Sequence, residues 1–287
     1  PKRVGKPAWL RNTLGMMDRV IAISDYTRKL SEGWGVPEER LATVHPSLTN
    51  DVLEGLSVEK REDDFAAHKL KLLTVCRLIE RKGVQVVLDA VASLDGHQRR
   101  IEYHIVGDGP YRAQLENQAR ALGLNGVVRF HGNVPEESKR DFLAQSDVFV
   151  MTPFETYEGD VEGFGIVYLE AGAVGKPVIA SRTGGVPDAV LDGRTGILVQ
   201  QHDVDALRQA IIALLDDRRL RFELGTNGRQ WAAIHMPAVV ARNLEDVLSR
   251  IASPPPLGRD GDSTNVGQAF MPDTSNQPRE TRRVPTG

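Results

Sequence analysis

The sequence predicts an α/β protein built on a Rossmann-like, doubly wound parallel sheet. From residue 69 onward, short runs rich in β-branched residues alternate with helical patterns, which is typical of a parallel sheet covered on both faces. Glycines follow the ends of several of these runs, where sheets of this kind bind their ligands. The chain has 287 residues, of which 40% are hydrophobic, so a sizeable core is available.

The alternation predicts each element in order. Strands are predicted at residues 69–78, 101–107, 127–132, 147–153, 177–182 and 196–200. Helices are predicted between them at residues 83–94, 111–123, 136–145, from about residue 165, and at 186–191. Amphipathic segments from residue 203 onward are predicted to close the domain as helices.

The domain organisation is predicted from changes in composition. Residues 1–48 hold one further strand–helix–strand unit, residues 49–68 form a polar linker, and residues 69–252 form the main domain. Residues 253–287 are rich in Pro, Gly and small polar residues, so they are predicted to be disordered. The sequence begins with Pro1 instead of Met, which leads us to expect a fragment or a processed chain.

Composition excludes several classes of protein. A net charge of −3 argues against bulk binding of nucleic acid, and no apolar run approaches the ~20 residues of a membrane span. Cys76 is the only cysteine, so no disulfide framework is expected and a reducing compartment, the cytoplasm, is predicted. No zinc-protease, serine-hydrolase or P-loop motif occurs, and no metal site is predicted.

A phosphate-binding edge is predicted near the end of the first main strand. Arg77 ends that strand, and Lys82 with Gly83 opens the following helix. Two cations beside a helix N-terminus form an anion site, since the helix dipole adds to their attraction. The alternative interpretation, two solvated surface cations, stays open at this point.

The stretch "VEGFGIVYLEAG" (161–172) contains two glutamates in apolar surroundings. Gly163 and Gly165 allow a ligand to approach the backbone closely, and Glu162 precedes the helix. Glu170 lies about one and a half turns inside the helix, where a carboxylate without a partner is costly. Two vicinal hydroxyls of a ligand would satisfy it, whereas the alternative places Glu170 on a narrow solvent-exposed stripe.

Six segments together resemble the donor-binding half of family 4 retaining glycosyltransferases, which have the two-Rossmann-domain architecture called GT-B. The similarity covers about residues 18–235, and Glu162 and Glu170 match the E-x7-E signature of that family. The segment "DVEGFGIVYLEA" is most similar to bacterial mannosyltransferases acting on lipid-linked or polysaccharide acceptors. The segments are "CRLIERKG" (76–83), "IVGDGPYR" (105–112), "FHGNVP" (130–135), "SDVFVMTP" (146–153), "EGFGIVYLEAGAVGKPVIA" (162–180) and "GGVPDAVLDGRTGILV" (184–199).

The resemblance implies a role for each candidate residue. Glu162 would hold hydroxyls of the transferred sugar, and Glu170 would accept hydrogen bonds from the ribose hydroxyls. Arg77 and Lys82 would bind the diphosphate. The remaining implied contacts come from the backbone at Gly163, Phe164, Gly165 and Ile166, the glycine turn at Gly107, and the base-contacting loop at Asn133 and Val134.

The resemblance also implies partners and limits. The donor would be a GDP- or UDP-linked sugar, with no metal and no separate cofactor, and the acceptor a glycan or a lipid-linked molecule. Residues 1–48 would then be the last part of an acceptor-binding domain that is otherwise missing, so we expect donor binding with little transfer. Contact with the inner face of the membrane is a further expectation.

Three alternatives remain open in the sequence. One is a nucleotide-sugar-binding module without catalytic activity, and another is a GT-B relative such as a nucleotide-sugar epimerase or a phosphorylase. The third is an NAD-dependent oxidoreductase, suggested by the glycine turn in "VGDGPYR". Its fingerprint is incomplete, because Arg112 stands where the third glycine belongs.

Overall fold

The computed structural model describes residues 8–52, 69–94 and 96–252 and contains two parallel sheets. The smaller sheet pairs β1 (Val20–Ala22) with β2 (Leu41–Thr43). The larger sheet has six strands in the spatial order β5-β4-β3-β6-β7-β8, all of them parallel. These strands are β3 (Leu70–Val75), β4 (Ile101–Val106), β5 (Val128–Gly132), β6 (Val148–Met151), β7 (Val178–Ser181) and β8 (Gly196–Val199).

The strand order of the large sheet is that of a doubly wound α/β fold. Counted from β3, the order reads 3-2-1-4-5-6, and the direction of winding reverses between β3 and β6. In such sheets the ligand crevice lies at this reversal, outside the carboxyl ends of the two strands. The predicted fold class is confirmed, and the reversal locates the candidate site.

Ten α-helices lie in the described residues. Helix α1 (Ala8–Gly15) was not predicted, whereas the other nine were. These nine are α2 (Asp25–Gly33), α3 (Val84–Ala92), α4 (Arg112–Ala121), α5 (Glu136–Gln145), α6 (Ile166–Ala173), α7 (Val186–Ala189), α8 (Val204–Asp216), α9 (Arg218–Ala233) and α10 (Pro237–Ala252).

The sheet is apolar on both faces because its strands alternate between two cores. In β6, Val148 and Val150 belong to the core that includes α3, α4 and α8, while Phe149 and Met151 belong to the core that includes α5 and α6. Side chains along a strand point alternately to opposite faces, and a sheet covered by helices on both sides needs both sets apolar. This explains the near-continuous hydrophobic runs in the sequence.

The amino-terminal strand–helix–strand unit packs against the main domain through specific contacts. Ser24 caps α2, its Oγ accepting from the Thr27 amide at 3.1 Å. The amide of Asp25 donates to Asp188 Oδ2 of α7 at 2.8 Å, which joins the unit to the main domain. This bond places a carboxylate at the positive end of α2, where the helix dipole favours it.

The predicted domain boundaries remain predictions. Leu48 and Val52 are buried in the core that includes α6, so the chain enters the main domain's packing before residue 53. The rest of the predicted linker, residues 53–68, and the predicted disordered tail, residues 253–287, lie outside the described residues. Across the described ranges, each helix is too short or too polar to cross a membrane.

Candidate functional site

Gly83 lies beside the ligand crevice that the strand order predicts between the carboxyl ends of β3 and β6. This residue has a φ of +73° and links the turn Glu80–Lys82 to the start of α3. Thr152, just beyond β6, donates its hydroxyl to the Gly83 carbonyl at 3.1 Å. A Cβ at position 83 would lie 1.8 Å from the Thr152 carbonyl oxygen, so only glycine fits here. The contact fixes Lys82 at the reversal of strand order.

Glu162 lies in this crevice with two cationic partners. Its Oε2 accepts a short hydrogen bond from Lys82 Nζ and a longer one, at 3.4 Å, from a terminal nitrogen of Arg81. The Glu162 side chain is only 12% exposed. Both contacts go to Oε2, and Oε1 has no hydrogen bond to any residue in the described ranges. The carboxylate is therefore held by one oxygen and presents the other.

Arg81 connects Glu162 to the loop before it. The Nε of Arg81 is 2.8 Å from Asp160 Oδ2, and the Arg81 carbonyl accepts from the Phe154 amide at 2.9 Å. Burial raises the pKa of the nearby Cys76 thiol to about 12, more than Lys82 lowers it. Cys76 is consequently a neutral thiol at physiological pH and is not a nucleophile.

Arg77 differs from Lys82 in having an exposed side chain. It follows β3 by two residues, as the sequence predicts. No residue of the described ranges forms an ion pair or a hydrogen bond with its guanidinium. An unpaired guanidinium at the carboxyl edge of a parallel sheet can grip two oxygens of an anion at once.

The loop from Glu162 to Gly165 packs against the turn that follows β7. The Gly185 amide donates to the Glu162 carbonyl at 2.9 Å, and a Cβ at position 185 would lie 2.0 Å from the Gly163 carbonyl oxygen. Phe164 is buried, its ring 5.2 Å from that of His45. The Phe164 side chain is thus an anchor, which leaves only its backbone to face a ligand.

Helix α6 starts at this loop without a side-chain cap. Gly165, the N-cap residue, has a φ of +88°, and a Cβ there would lie 2.5 Å from the Tyr168 ring. Ile166 begins the helix and is partly buried. The Tyr168 hydroxyl donates to the Met151 carbonyl at 3.1 Å, which ties the first turn of α6 to the end of β6. The positive end of the α6 dipole therefore points towards the crevice.

Glu170 is nearly buried on α6, but it is not on a solvent-exposed stripe. Its side chain is 13% exposed, and Lys139 Nζ of α5 lies 3.1 Å from its carboxylate. Lys139 is also 2.5 Å from Glu136. Burial lowers the pKa of Lys139, but its bonds to Glu136 and Glu170 outweigh this and raise the pKa overall. Lys139 is thus a partner for the Glu170 carboxylate, for which the sequence had suggested the ribose hydroxyls of a ligand.

Gly107, Asn133 and Val134 lie at the ends of β4 and β5. The Gly107 amide donates to the Gly132 carbonyl at 2.8 Å, and a Cβ at position 107 would lie 1.9 Å from the Cys76 carbonyl oxygen. Gly107 therefore has a packing role whether or not it meets a ligand. Asn133 is exposed, while Val134 is partly buried against the core that includes α5 and α6.

The structure adds three residues that sequence reasoning missed. Arg81 and Asp160 pair around Glu162, and Lys139 pairs with Glu170. Arg81 was visible only as one more cation in "ERKG", and Lys139 only as the partner of Glu136 three residues earlier on the same helix face. The direct pairing of Lys82 with Glu162 was also not predicted.

A pair of histidines lies behind the Phe164 anchor. His45 and His235 stack with ring centroids 5.5 Å apart, and His235 Nε2 is 3.3 Å from His45 Nδ1. His235 is also 2.9 Å from the Trp231 carbonyl through Nδ1. Burial lowers the pKa of His45, and it lowers the pKa of His235 from 6.5 to about 4. Both rings are therefore neutral in the folded protein at pH 7.

Acidification is expected to destabilise the fold through His235. Because its folded-state pKa lies below the unfolded value, its contribution to stability is complete above pH 6.5 and is lost as the pH falls towards 4. Between pH 7 and pH 5 the loss is about 2 kcal/mol. The measurement compares urea unfolding of the wild type and His235→Gln at both pH values. An equal pH dependence in the two proteins would contradict this assignment.

The described residues contain no group of three or more His, Cys, Asp or Glu side chains arranged to hold a metal ion. The predicted independence from metal stays a prediction.

Comparison with known proteins gives a consistent result. The family model "Glycosyl transferases group 1" matches residues 58–231, which is more than half of the chain. A curated relative from Mycolicibacterium smegmatis, a GDP-mannose-dependent alpha-(1-6)-phosphatidylinositol monomannoside mannosyltransferase, is 37% identical over 220 residues. This alignment covers 75% of the present chain and 57% of the relative. A relative from Corynebacterium glutamicum is named GDP-mannose-dependent monoacylated alpha-(1-6)-phosphatidylinositol monomannoside mannosyltransferase. It is 40% identical over 155 residues, which are 53% of this chain and 40% of that one.

Solved structures share the fold at lower identity. A glycosyltransferase from Rickettsia africae superposes with a TM-score of 0.72 at 19% identity, covering 86% of this chain and 68% of that one. HepE from Anabaena, solved in complex with UDP, gives a TM-score of 0.71 at 21% identity, with coverages of 83% and 68%. The chain spans little more than half the length of the mycobacterial relatives it matches.

Proposed function

Because the chain belongs to the glycosyl transferases group 1 family, we propose that it binds the donor in the transfer of a hexosyl group from a nucleoside-diphosphate sugar. The observation that carries this proposal is the state of Glu162 at the reversal of strand order. Cations hold its Oε2, and its Oε1 has no partner in the described residues. A sugar hydroxyl placed there would donate to Oε1.

The proposed donor is GDP-mannose. The relatives from Mycolicibacterium smegmatis and Corynebacterium glutamicum carry GDP-mannose in their names, at 37% and 40% identity. HepE was solved with UDP, but at 21% identity it supports the fold alone. Preferential binding of a UDP-sugar would therefore change the proposed base and sugar of the donor, but not the residues proposed to bind it.

The diphosphate is proposed to lie between Arg77, Lys82 and the start of α6. Arg77 has no partner in the described residues, whereas Lys82 must exchange Glu162 for a phosphate oxygen. The first amides of α6 contribute the positive end of a helix dipole. Two cations and a helix end neutralise the leaving group without a metal ion, a form of electrostatic stabilisation of the transition state. Binding that is unchanged by a chelator would support this part of the proposal.

Glu162 and Glu170 are proposed to bind different parts of the donor. Glu162 takes hydroxyls of the sugar near the anomeric carbon, and Glu170 takes the vicinal hydroxyls of the ribose. In the ligand-free site Lys139 forms the ion pair with Glu170. When the donor binds, Lys139 and the ribose hydroxyls both donate to the Glu170 carboxylate. Asn133 and Val134, which follow β5, are proposed to lie against the base, with Gly107 at the neighbouring strand end.

Transfer with retention of anomeric configuration is proposed for this site. The acceptor hydroxyl attacks the anomeric carbon on the face that the diphosphate leaves. As the new carbon–oxygen bond forms, the bond from carbon to the phosphate oxygen breaks, and that phosphate oxygen takes the hydroxyl proton. NMR assignment of the product's anomeric configuration tests this step, since an inverted product would contradict it.

The acceptor is proposed to be a lipid-linked molecule or a polysaccharide. The name of the Mycolicibacterium smegmatis relative, which specifies phosphatidylinositol monomannoside, supports a lipid-linked acceptor. Activity in the cytoplasm at the inner face of a membrane follows from such an acceptor and is part of the same proposal. A vesicle co-sedimentation assay with and without the lipid acceptor tests the membrane contact.

Paired substitutions of the two glutamates are expected to separate their roles. Glu162→Ala should spare GDP binding, because it releases Lys82 for the diphosphate, and should weaken GDP-mannose binding. Glu170→Ala should weaken both ligands by about 5- to 150-fold, the equivalent of losing 1–3 kcal/mol in hydrogen bonds to a charged group. Isothermal titration with each ligand measures this. An equal effect of Glu162→Ala on GDP and GDP-mannose would refute the division between sugar and ribose.

A further inference from the structure

Four charged side chains form a compact group beside the proposed sugar position. Arg81 and Lys82 supply two positive charges, and Glu162 and Asp160 supply two negative ones. The charges balance in the ligand-free site. Arg81, Lys82 and Glu162 are all less than 20% exposed, so their interactions are screened less than those of surface pairs.

Binding of a diphosphate disturbs this balance at one point. In the proposed function Lys82 turns from Glu162 to a phosphate oxygen, and Glu162 then loses its nearer cationic partner. A poorly solvated carboxylate without a cation is costly, and its orientation is no longer fixed. Something else must hold Glu162 while it accepts a bond from the sugar.

Arg81 is placed to do this. Its guanidinium reaches the same Oε2 of Glu162 that Lys82 occupies, at 3.4 Å. Its Nε lies 2.8 Å from Asp160 Oδ2 as an ion pair, although the two atoms do not meet hydrogen-bond geometry. The Arg81 carbonyl accepts from the Phe154 amide on the loop after β6. A planar guanidinium anchored at one end is less free to leave than the ammonium of Lys82 on its flexible stem.

We infer that Arg81 is a positioning residue that keeps the Glu162 carboxylate in place and oriented when Lys82 moves to the donor diphosphate. It acts through Glu162 and does not touch the nucleotide. The inference rests on the proposed function, because it assumes that Lys82 binds phosphate and Glu162 binds the sugar. It adds a residue that lies outside the E-x7-E pair and outside the predicted phosphate cations.

The test measures two ligands in four variants. Arg81→Gln is expected to raise the Kd of GDP-mannose about 10- to 100-fold and the Kd of GDP by a clearly smaller factor. Either diphosphate takes Lys82 from Glu162, but only GDP-mannose also needs Glu162 oriented towards a sugar. Arg81→Lys restores the cation and should recover most of the loss. In a Glu162→Gln background, Arg81→Gln should have no further effect, because its target carboxylate is gone.

Each result has one meaning. Equal weakening of GDP and GDP-mannose by Arg81→Gln would show a general structural role and overturn the inference. An effect that persists in the Glu162→Gln background, or no effect at all in the wild-type background, would overturn it as well. If the wild-type chain binds neither ligand, the proposed function fails and the inference fails with it. If the wild type binds both ligands, Glu162→Gln weakens GDP-mannose and Arg81→Gln changes neither Kd, only the inference fails.

Discussion

Gly83→Ala is expected to lower the free energy of unfolding by about 3 kcal/mol and to weaken GDP binding at least tenfold. The added Cβ would lie 1.8 Å from the Thr152 carbonyl oxygen, at a backbone φ of +73° that non-glycine residues rarely adopt. Relief of the clash must separate the start of α3 from the end of β6. That movement displaces Lys82, which immediately precedes Gly83. Urea unfolding and isothermal titration measure the two effects.

Gly126→Ala is the matched control for this prediction. Gly126 has a φ of +82°, but nothing lies within 4 Å of the position its Cβ would take. The control therefore contains the strain of the left-handed backbone, about 1–2 kcal/mol, without the clash. A Gly83→Ala protein as stable as Gly126→Ala, with unchanged GDP binding, would contradict the role assigned to the contact with Thr152.

Arg77→Ala is expected to weaken GDP binding by about 10- to 150-fold. The guanidinium has no partner in the part of the chain that the structure describes, so its removal costs the folded protein little. The loss in binding is that of charge-assisted bonds to phosphate, about 1.5–3 kcal/mol. Isothermal titration at a fixed ionic strength measures it, and urea unfolding checks that stability is unchanged.

Arg194→Ala removes the same charge from a position unrelated to the site. Arg194 is exposed and lies on the turn before β8, at the opposite edge of the sheet from the carboxyl ends of the strands. It should leave the Kd of GDP unchanged, which separates a local contact from the effect of net charge. Equal Kd values for Arg77→Ala and Arg194→Ala would remove Arg77 from the proposed site.

Periodicity was sufficient to predict the main sheet. All six strands and the helices between them were predicted with boundaries within a few residues, because both faces of this sheet are apolar and its helices are amphipathic. Helix α1 was missed, since its sequence "AWLRNTLG" has no capping residue and only a short apolar pattern. The paired residues of β3 and β6, such as Leu72 and Val148, are 76 positions apart in the chain, and no local sequence pattern indicates such a pairing.

The candidate site was predicted only as a set of positions. The sequence places Glu162 before α6 and Glu170 inside it, and the structure agrees with both placements. The sequence does not reveal which cation pairs with which carboxylate. Lys82 with Glu162, and Lys139 with Glu170, are 80 and 31 residues apart in the chain. These partners are set by the packing of α3, α5 and α6 on one sheet, which depends on the whole fold.

Burial of Glu170 illustrates the limit of reasoning from one helix. Its apolar neighbours indicated a carboxylate that needs a partner, and the sequence offered a ribose or water as candidates. The structure supplies Lys139 from a neighbouring helix, which was not weighed because α5 could not be placed against α6 from the sequence. The need for a partner was predicted, but its identity was not.

The most direct test of the donor-binding proposal is isothermal titration of this chain with GDP, UDP, ADP and NAD, each with magnesium and with a chelator. The account predicts that GDP binds with the same Kd under both conditions, that the other three bind more weakly, and that Glu170→Ala reduces the affinity for GDP. Binding of NAD alone, or of no nucleotide by folded protein, would contradict it.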